Sequence, residues 1–128
     1  MFSGMTHARD IIAGQKLAVI SPTSSVRDAA RIMFDRNVGA VVVMENDGLL
    51  GIFTERDALK FFVATRRNPD VTNVGEVMTK DPKTISPETT VDEVIKLMGE
   101  GHFRHLPVVD SGKVIGVVSQ RGIVTGGN

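Results

Sequence analysis

Apolar residues in the first half of the chain recur with a spacing that changes in a fixed order. A short apolar run ends at Ile20 and is followed by a Ser-Pro turn. Apolar residues then return every three or four positions between Val26 and Phe34, which is the spacing of a helix with one buried face. Ser24 or Ser25 is the expected N-cap, because serine accepts hydrogen bonds from the first backbone N–H groups of a helix.

The residues that follow predict a β-hairpin and a second helix. Positions 40–44 and 49–53 are apolar and rich in β-branched residues, as buried strands are. The Asn-Asp-Gly sequence at 46–48 lies between them and favours a tight turn. The second helix begins after Thr54, its expected N-cap, and runs to about Val63. The pattern is therefore β-α-β-β-α.

The same pattern occurs twice. A shift of 65 positions aligns residues 20–60 with residues 85–125 without a gap, and eight of the 41 aligned positions are identical. The identical pairs are Ile20/Ile85, Ser21/Ser86, Pro22/Pro87, Val26/Val91, Met33/Met98, Val43/Val108, Gly51/Gly116 and Arg56/Arg121. We infer a duplication, whose second copy predicts a helix capped by Thr90 and a hairpin with strands at 106–109 and 114–118.

Neither copy is long enough to bury a stable core alone, because about 45 residues leave too much surface exposed. We therefore expect an α/β (α+β) fold in which two pseudo-symmetric repeats pack face to face. The expected intervals are 1–64 for the first repeat with its lead-in, 65–83 for a linker with a short helical turn, and 84–128 for the second repeat.

Two segments outside the aligned region bear on how the second repeat is closed. Residues 8–12 resemble residues 74–78 of the linker and should enter the fold in a similar way. The sequence after Gly122 is short and rich in glycine, so the closing helix of the second repeat is expected to be truncated. The N-terminal segment or a partner chain should cover that end of the sheet.

Composition excludes several classes of function. Fifteen Lys and Arg balance fifteen Asp and Glu, whereas proteins that neutralise nucleic-acid phosphates are usually basic. The absence of cysteine excludes disulfides, thiolate zinc sites and thiol nucleophiles, and favours a cytoplasmic location. No apolar run approaches the ~18 residues of a membrane span, and the N-terminus does not have the pattern of a signal peptide.

Catalytic and metal-binding motifs are weak. The three histidines suggest no catalytic triad. His102 and His105 have a metal-like spacing but no evident third ligand. Ser111-Gly112-Lys113 lacks the upstream glycine and the hydroxyl residue of a phosphate-binding loop, so it is interpreted as a hairpin turn. The sequence therefore predicts a protein that is not an enzyme and requires no cofactor.

The duplicated pattern resembles a tandem pair of CBS domains, also called a Bateman module. The resemblance covers nearly the whole chain and includes the Val-Met-Thr lead-in at 77–79 and the Leu-Pro-Val-Val-Asp strand at 106–110. It also includes the Gly-Ile-Phe-Thr-Glu-Arg-Asp sequence at 51–57. The family implies a regulatory module for an adenosine ligand such as AMP, ADP, ATP, NAD or S-adenosylmethionine. It also implies a homodimer.

Thr54 and Asp57 are the expected centre of the ligand site. One carboxylate can accept a hydrogen bond from each of the two adjacent hydroxyls of a ribose. The alternative is structural: Thr54 and Asp57 also have the spacing of a helix capping box. In the second copy Gly122 replaces the aspartate beside Ser119, so we expect one good nucleotide site in the chain and an empty, weak or specialised second cleft.

Other residues should hold the base and the phosphates. Ala40 leaves room for an adenine edge to reach the strand backbone, with Gly39 and Val41 beside it and Ile20 and Ser21 opposite; the alternative is ordinary core packing. The expected phosphate partners are Arg104 and His105, which reach across from the second repeat. Arg56 and Lys60 on the helix after Thr54 are further candidates. The alternative for these side chains is an exposed surface.

Three functions follow from these patterns. The first is a regulatory module whose ligand shifts the population between two arrangements that an effector protein distinguishes. The second is a ligand-free interaction or scaffold module that mediates dimerisation, which the glycine at position 122 favours. The third is a small nucleotide hydrolase, against which the missing nucleophile argues.

Overall fold

The computed structural model describes residues 2–125. In chain order its elements are α1 (Ala8–Ile11), β1 (Val19–Ile20), α2 (Val26–Arg36), β2 (Ala40–Glu45), β3 (Gly48–Thr54), α3 (Glu55–Ala58), a π-helix (Leu59–Ala64), α4 (Val74–Val77), β4 (Thr79–Lys80), α5 (Val91–Gly101), β5 (His105–Asp110), β6 (Lys113–Ser119) and α6 (Gln120–Thr125). The mixed α/β composition confirms the predicted fold class.

The chain divides into two compact units that do not follow the sequence intervals. The first-repeat unit is Ala18–Pro82, and the second-repeat unit combines the N-terminal segment through Leu17 with the chain from Lys83 onward. Residues 2–17 therefore pack with the second repeat rather than with the first repeat that they precede. Residues 65–82 of the linker pack with the first repeat.

The first-repeat unit is built on a four-stranded sheet with the order β1-β2-β3-β4. β1 runs parallel to β2, and the other neighbours are antiparallel. Asn46 and Asp47 connect β2 to β3 with φ angles of 52° and 65°, as a tight hairpin turn of the predicted type requires. Ser25 caps α2 by accepting a hydrogen bond from the Asp28 amide, so the second of the two expected caps is the one used.

The second-repeat unit contains the β5–β6 hairpin, and Ile85 joins it through a single parallel bridge to Val108. Thr90 caps α5 as predicted. The core consists of apolar side chains from all parts of this unit, including the lead-in. Its buried members are Ala8, Ile11, Ile12, Ile85, Val91, Val94, Met98, Leu106, Val108, Val118 and Ile123.

The two lead-in segments dock on their repeats through equivalent backbone hydrogen bonds. The Ala8 and Arg9 amides donate to the carbonyls of Thr89 and Pro87. In the first-repeat unit the Val74 and Gly75 amides donate to the carbonyls of Ser24 and Pro22. The acceptors are related by the 65-residue shift, so each repeat is completed in the same way by the segment that precedes the other repeat in the chain.

The outer edges of the two hairpins are covered differently. In the first-repeat unit the backbone of β4 pairs with Gly51 and Ile52. In the second-repeat unit the Gln15 side chain donates to the Val117 carbonyl at 3.0 Å and accepts from the Val117 amide at 2.7 Å. A side-chain amide has one donor group and one acceptor group, as a peptide unit has, so Gln15 takes the place of a strand residue.

Candidate functional site

Thr54 and Asp57 form the capping box at the start of α3. The Thr54 amide and hydroxyl donate to Oδ2 of Asp57 at 3.0 and 3.1 Å, and the Asp57 amide donates to the Thr54 hydroxyl at 3.2 Å. The structural alternative for these two residues is therefore realised. It does not exclude the ligand role, because a carboxylate offers about four lone-pair positions. The ribose role stays a prediction.

Burial raises the pKa of Asp57 above the usual aspartate value, while hydrogen bonds from Thr54, the charge of Lys60 and a hydrogen bond from Thr79 oppose that rise. Desolvation of a carboxylate favours its neutral form, whereas a donated hydrogen bond or a nearby cation favours the anion. Asp57 is thus a partly desolvated acceptor, and a hydroxyl placed against it competes with less water than at an exposed aspartate.

Thr79 acts on Asp57 but was not among the predicted ligand residues, whereas Lys60 was a further candidate for the phosphates. Lys60 follows Asp57 by three positions on a helical segment, and that spacing was a usable signal. Thr79 comes from β4, whose pairing with β3 places it near Asp57. Nothing in the local sequence indicates that pairing.

The predicted base-binding residues lie mainly at the start of β2. Ala40 pairs with Thr54 across the hairpin, and the Gly39 carbonyl accepts a hydrogen bond from the Glu55 amide at 3.0 Å. These contacts place Ala40 and Gly39 beside the capping box. Val41 is fully buried in the core, which matches the packing alternative for that residue.

Three other predicted ligand residues belong to the first-repeat unit. Ile20 is buried and pairs with Val43 in the next strand. The Ser21 side chain is exposed, and its hydroxyl lies 3.0 Å from that of Thr23. Arg56 is exposed on α3. Contact of these three residues with a ligand stays a prediction.

Arg104 and His105 belong to the second-repeat unit, where they begin the β5–β6 hairpin. His105 pairs with Ser119, and the Arg104 carbonyl accepts from the Gln120 amide at 2.9 Å. Burial, together with the positive charges of Arg121 and Arg104, lowers the pKa of His105 to about 4. His105 is therefore neutral at pH 7 and donates at most one ring N–H.

The position equivalent to Asp57 holds a buried glycine. The Gly122 amide donates to the Ser119 hydroxyl at 2.9 Å, which reproduces half of the capping box without its carboxylate. Within residues 2–125, no group of three or more His, Cys, Asp or Glu side chains has an arrangement that suits a metal ion. In the same range, no helix has both the length and the apolar character needed to cross a membrane.

Comparisons with known proteins also find two repeats in this chain. The family model of the CBS domain matches residues 5–64 and 74–126. The mitochondrial CBS domain-containing protein CBSX3 of Arabidopsis thaliana is 41% identical over 100 residues, which cover 74% of this chain and 48% of that protein. An uncharacterized 17.7 kDa protein of Acidianus ambivalens is 38% identical over 112 residues, covering 86% of this chain and 66% of that protein.

Related proteins differ in what surrounds the repeats. The arabinose 5-phosphate isomerase KdsD of Francisella tularensis is 35% identical over 112 residues, and the matched part is 34% of that enzyme. The chain thus spans from one third to two thirds of the length of these three curated relatives.

Solved structures share the fold over almost the whole chain. A CBS-domain-containing protein from Agrobacterium tumefaciens has a TM-score of 0.85 at 32% identity, with 98% of this chain and 96% of that chain covered. The hexameric CBS-CP12 protein from bloom-forming cyanobacteria has a TM-score of 0.86 at 26% identity, with 94% and 67% covered. The resemblance inferred from the duplicated pattern is confirmed, and the chain belongs to the CBS domain family as a tandem pair of CBS domains.

Proposed function

We propose that this tandem CBS pair is a regulatory module that binds an adenosine ligand in its first-repeat unit. The observation that carries the proposal is the partly buried Asp57 carboxylate, fixed by Thr54 next to the backbone of Gly39 and Ala40. AMP requires the fewest contacts from the site, because it has one ribose, one base and one phosphate. ATP, ADP, NAD and S-adenosylmethionine contain the same adenosine.

The capping box pre-organises Asp57 for a diol. Thr54 holds one carboxylate oxygen through two donors, so the side chain does not have to lose rotamer freedom when a ligand arrives. The remaining lone pairs accept the two ribose hydroxyls in charge-assisted hydrogen bonds, each worth about 1.5–3 kcal/mol. Gly39 and Ala40 have small side chains, so we expect the edge of the base to approach the backbone at the start of β2.

Regulation follows from a difference in ligand affinity between two arrangements of the chain. A ligand that binds one arrangement better raises its population, and an effector protein that recognises that arrangement reports the ligand concentration. The curated relatives extend beyond the region that matches this chain. The effector of this chain is then an unidentified protein that distinguishes the two arrangements.

Thermal unfolding with and without ligands tests the proposal. AMP, ADP, ATP, NAD, NADH and S-adenosylmethionine are added separately to the wild type and to Asp57→Ala. A ligand at about 100 times its dissociation constant stabilises the folded chain by about 2.7 kcal/mol. We expect at least one adenosine compound to raise the melting temperature of the wild type and to have little effect on Asp57→Ala.

Asp28→Ala is the matched control for loss of a helix-capping acid. Asp28 lies at the same position of α2 relative to its cap Ser25 as Asp57 lies relative to Thr54. Asp28→Ala should keep the full ligand response. If no compound stabilises the wild type, or if Asp57→Ala responds as strongly as Asp28→Ala, the proposed site is wrong.

A second candidate function is a dimerisation module that acts without a ligand. Phe34 on α2 is 84% exposed, and Leu59 and Val63 on the π-helix are also largely exposed. A second copy of the chain that covers these side chains would remove a large apolar area from water. Analytical ultracentrifugation of the wild type and Phe34→Glu tests this function: we expect a dimer that the substitution weakens, with no dependence on adenosine compounds.

A further inference from the structure

The helical segment that begins at the capping box has one side toward the core and one side toward solvent. Ala58, Phe61 and Phe62 pack against the core of the first-repeat unit. Leu59 and Val63 lie about one turn apart and are 59% and 69% exposed. Residues spaced by four positions lie on the same face of a helix. The outward side therefore presents two neighbouring apolar side chains to solvent.

Cations accompany these two apolar side chains. Arg56 and Lys60 are exposed on the same segment, and Arg66 is exposed shortly after it ends. In the described part of the chain neither Arg56 nor Arg66 has an ion-pair partner. Glu55 is the only exposed acidic residue of the segment. The outward side is therefore both apolar and cationic.

We propose that Arg56, Leu59, Lys60, Val63 and Arg66, which we call the cationic face, dock the effector protein of this module, and that the effector presents an acidic amphipathic helix. This inference rests on the proposed function for the existence of an effector, and it adds the docking surface and the chemistry of the partner. A helix with apolar anchors at four-residue spacing can pack along Leu59 and Val63. Carboxylates beside those anchors complement the cations of the face.

Charge argues against a second copy of the chain as the occupant of the cationic face. A two-fold contact places a surface against the same surface of the other copy. The three cations of one copy would then face the three cations of the other. Like charges placed together across an interface disfavour that partner, whereas an acidic partner removes the repulsion.

The cationic face is also small for a membrane surface. Its two apolar side chains have about half as many carbons as a myristoyl chain, which alone gives only marginal membrane binding. Clusters that recognise anionic lipids usually contain about four to eight Lys and Arg residues, and this face has three. A protein helix, which contributes apolar anchors of its own, suits the face better.

The cationic face and the proposed adenosine site share one short helical segment. Thr54 holds Asp57 in the first turn, and Leu59 follows Asp57 by two positions. The charge of Lys60, a member of the face, acts on the Asp57 carboxyl group. A ligand at Asp57 and an effector on the face thus contact the same segment, and any effect of one on the affinity of the other is reciprocal.

Fluorescence anisotropy with a designed peptide tests the cationic face. The probe is a labelled peptide in which leucine recurs every three or four positions and glutamate and alanine occupy the other sites. No adenosine compound is added, so this test and the test of the proposed function can fail separately. We expect saturable binding to the wild type, weakened about tenfold in Leu59→Ser by the loss of an apolar contact. Arg56→Glu should weaken binding about fivefold, because an attraction becomes a repulsion.

Met5→Ser and Lys113→Glu are the matched controls in the second-repeat unit. Met5 is 76% exposed and Lys113 is an exposed cation, so these variants make comparable changes outside the cationic face and should keep the wild-type affinity. Circular dichroism confirms that all four variants are folded. Equal losses in Lys113→Glu and Arg56→Glu, or equal binding of a peptide with lysine in place of glutamate, would overturn the proposal.

Two other occupants of the cationic face give distinct results, and either result would also overturn the proposal. A dimer in analytical ultracentrifugation that Leu59→Ser dissociates would assign the face to a second copy of the chain. Sedimentation of the wild type with vesicles of phosphatidylcholine and phosphatidylserine, lost in Arg56→Glu, would assign the face to an anionic membrane.

Discussion

At the scale of single residues, the capping geometry of Asp57 is compatible with the ligand role proposed for it. The two donors of Thr54 satisfy one of its oxygens and cap α3, yet desolvation still raises the pKa of the carboxyl group. The capping interaction therefore does not fully offset the cost of burying the charge. A ligand that donates two more hydrogen bonds would lower that cost, so a capping acid can also act as the acceptor for a diol.

The pH dependence of stability should report the raised pKa of Asp57. A carboxyl group with a raised folded pKa stabilises the fold below its unfolded pKa of 3.8, and that contribution is lost as the pH rises through the folded pKa. Asp57→Asn has no such titration. We therefore expect the melting temperature of Asp57→Asn to rise relative to that of the wild type as the pH increases from 3.5 through the folded pKa. A difference that is constant with pH would contradict the shift.

His105 should destabilise the chain in acid. Its pKa falls from 6.5 to about 4 in the folded state, so its contribution to stability is present above pH 6.5 and is lost as the pH falls towards 4. Between pH 7.5 and pH 4.5 the free energy of unfolding of the wild type should therefore fall by about 2 kcal/mol more than that of His105→Ala. Alanine is the residue at the equivalent position 40 of the first repeat. Urea denaturation of both proteins at the two pH values measures this, and equal losses would show that His105 does not titrate as described.

At the scale of elements, local patterns predicted most of the fold. The strands, the caps Ser25, Thr54 and Thr90 and the turn at 46–48 depend on nearby residues, and the structure has all of them. Residues 8–12 could instead pack on either repeat, because the two repeats offer similar docking sites. The periodicity within the segment does not indicate which of the two repeats it packs on. The π-helix was also not predicted, because the spacing of apolar residues does not distinguish it from an α-helix.

The candidate site was predictable to the same extent. The capping spacing identified Thr54 and Asp57, and the duplication identified Ala40 and Gly122 as the positions at which the repeats differ. The burial of His105 and the approach of Thr79 to Asp57 depend on which strands pair. The sequence alone therefore gave no sign of the pKa changes of His105 and Asp57.

The docking of α1 requires a glycine in β6. A methyl group on Gly116 would lie 2.7 Å from Cδ1 and 2.8 Å from Cβ of Ile12, and 3.0 Å from Oε1 of Gln15. Since Cβ of Ile12 cannot move without its backbone, we expect Gly116→Ala to destabilise the chain by about 1–3 kcal/mol. Urea denaturation measures the cost.

Gly99→Ala controls for the loss of a glycine. Gly99 lies in α5 with open space around the position of an added Cβ, and alanine favours a helix interior by about 1 kcal/mol relative to glycine. Gly99→Ala should therefore stabilise the chain. If the two substitutions change stability in the same direction, the close approach between α1 and β6 is not what Gly116 provides.

At the scale of the whole molecule, each core includes a segment that directly precedes the other repeat in the sequence. The core of the second-repeat unit includes Ile11 from the N-terminal segment, and the core of the first-repeat unit includes Val77 from the linker. The chain therefore passes from one unit to the other after Leu17 and again after Pro82. A loss of packing in either lead-in should loosen the repeat that it packs on, which is not the repeat that follows it in the sequence.

Hydrogen exchange in a matched pair of variants tests that consequence. Ile11 and Val77 are 3% and 4% exposed, and replacing either by alanine removes buried methyl groups at a cost of about 2–4 kcal/mol. Because amides exchange through local opening of cooperative units, Ile11→Ala should speed exchange in β5, β6 and α5 more than in β2 and β3. Val77→Ala should do the reverse. Equal acceleration in both units would mean that the chain opens as a single cooperative unit, and acceleration confined to the neighbouring repeat in sequence would contradict the exchange of lead-in segments.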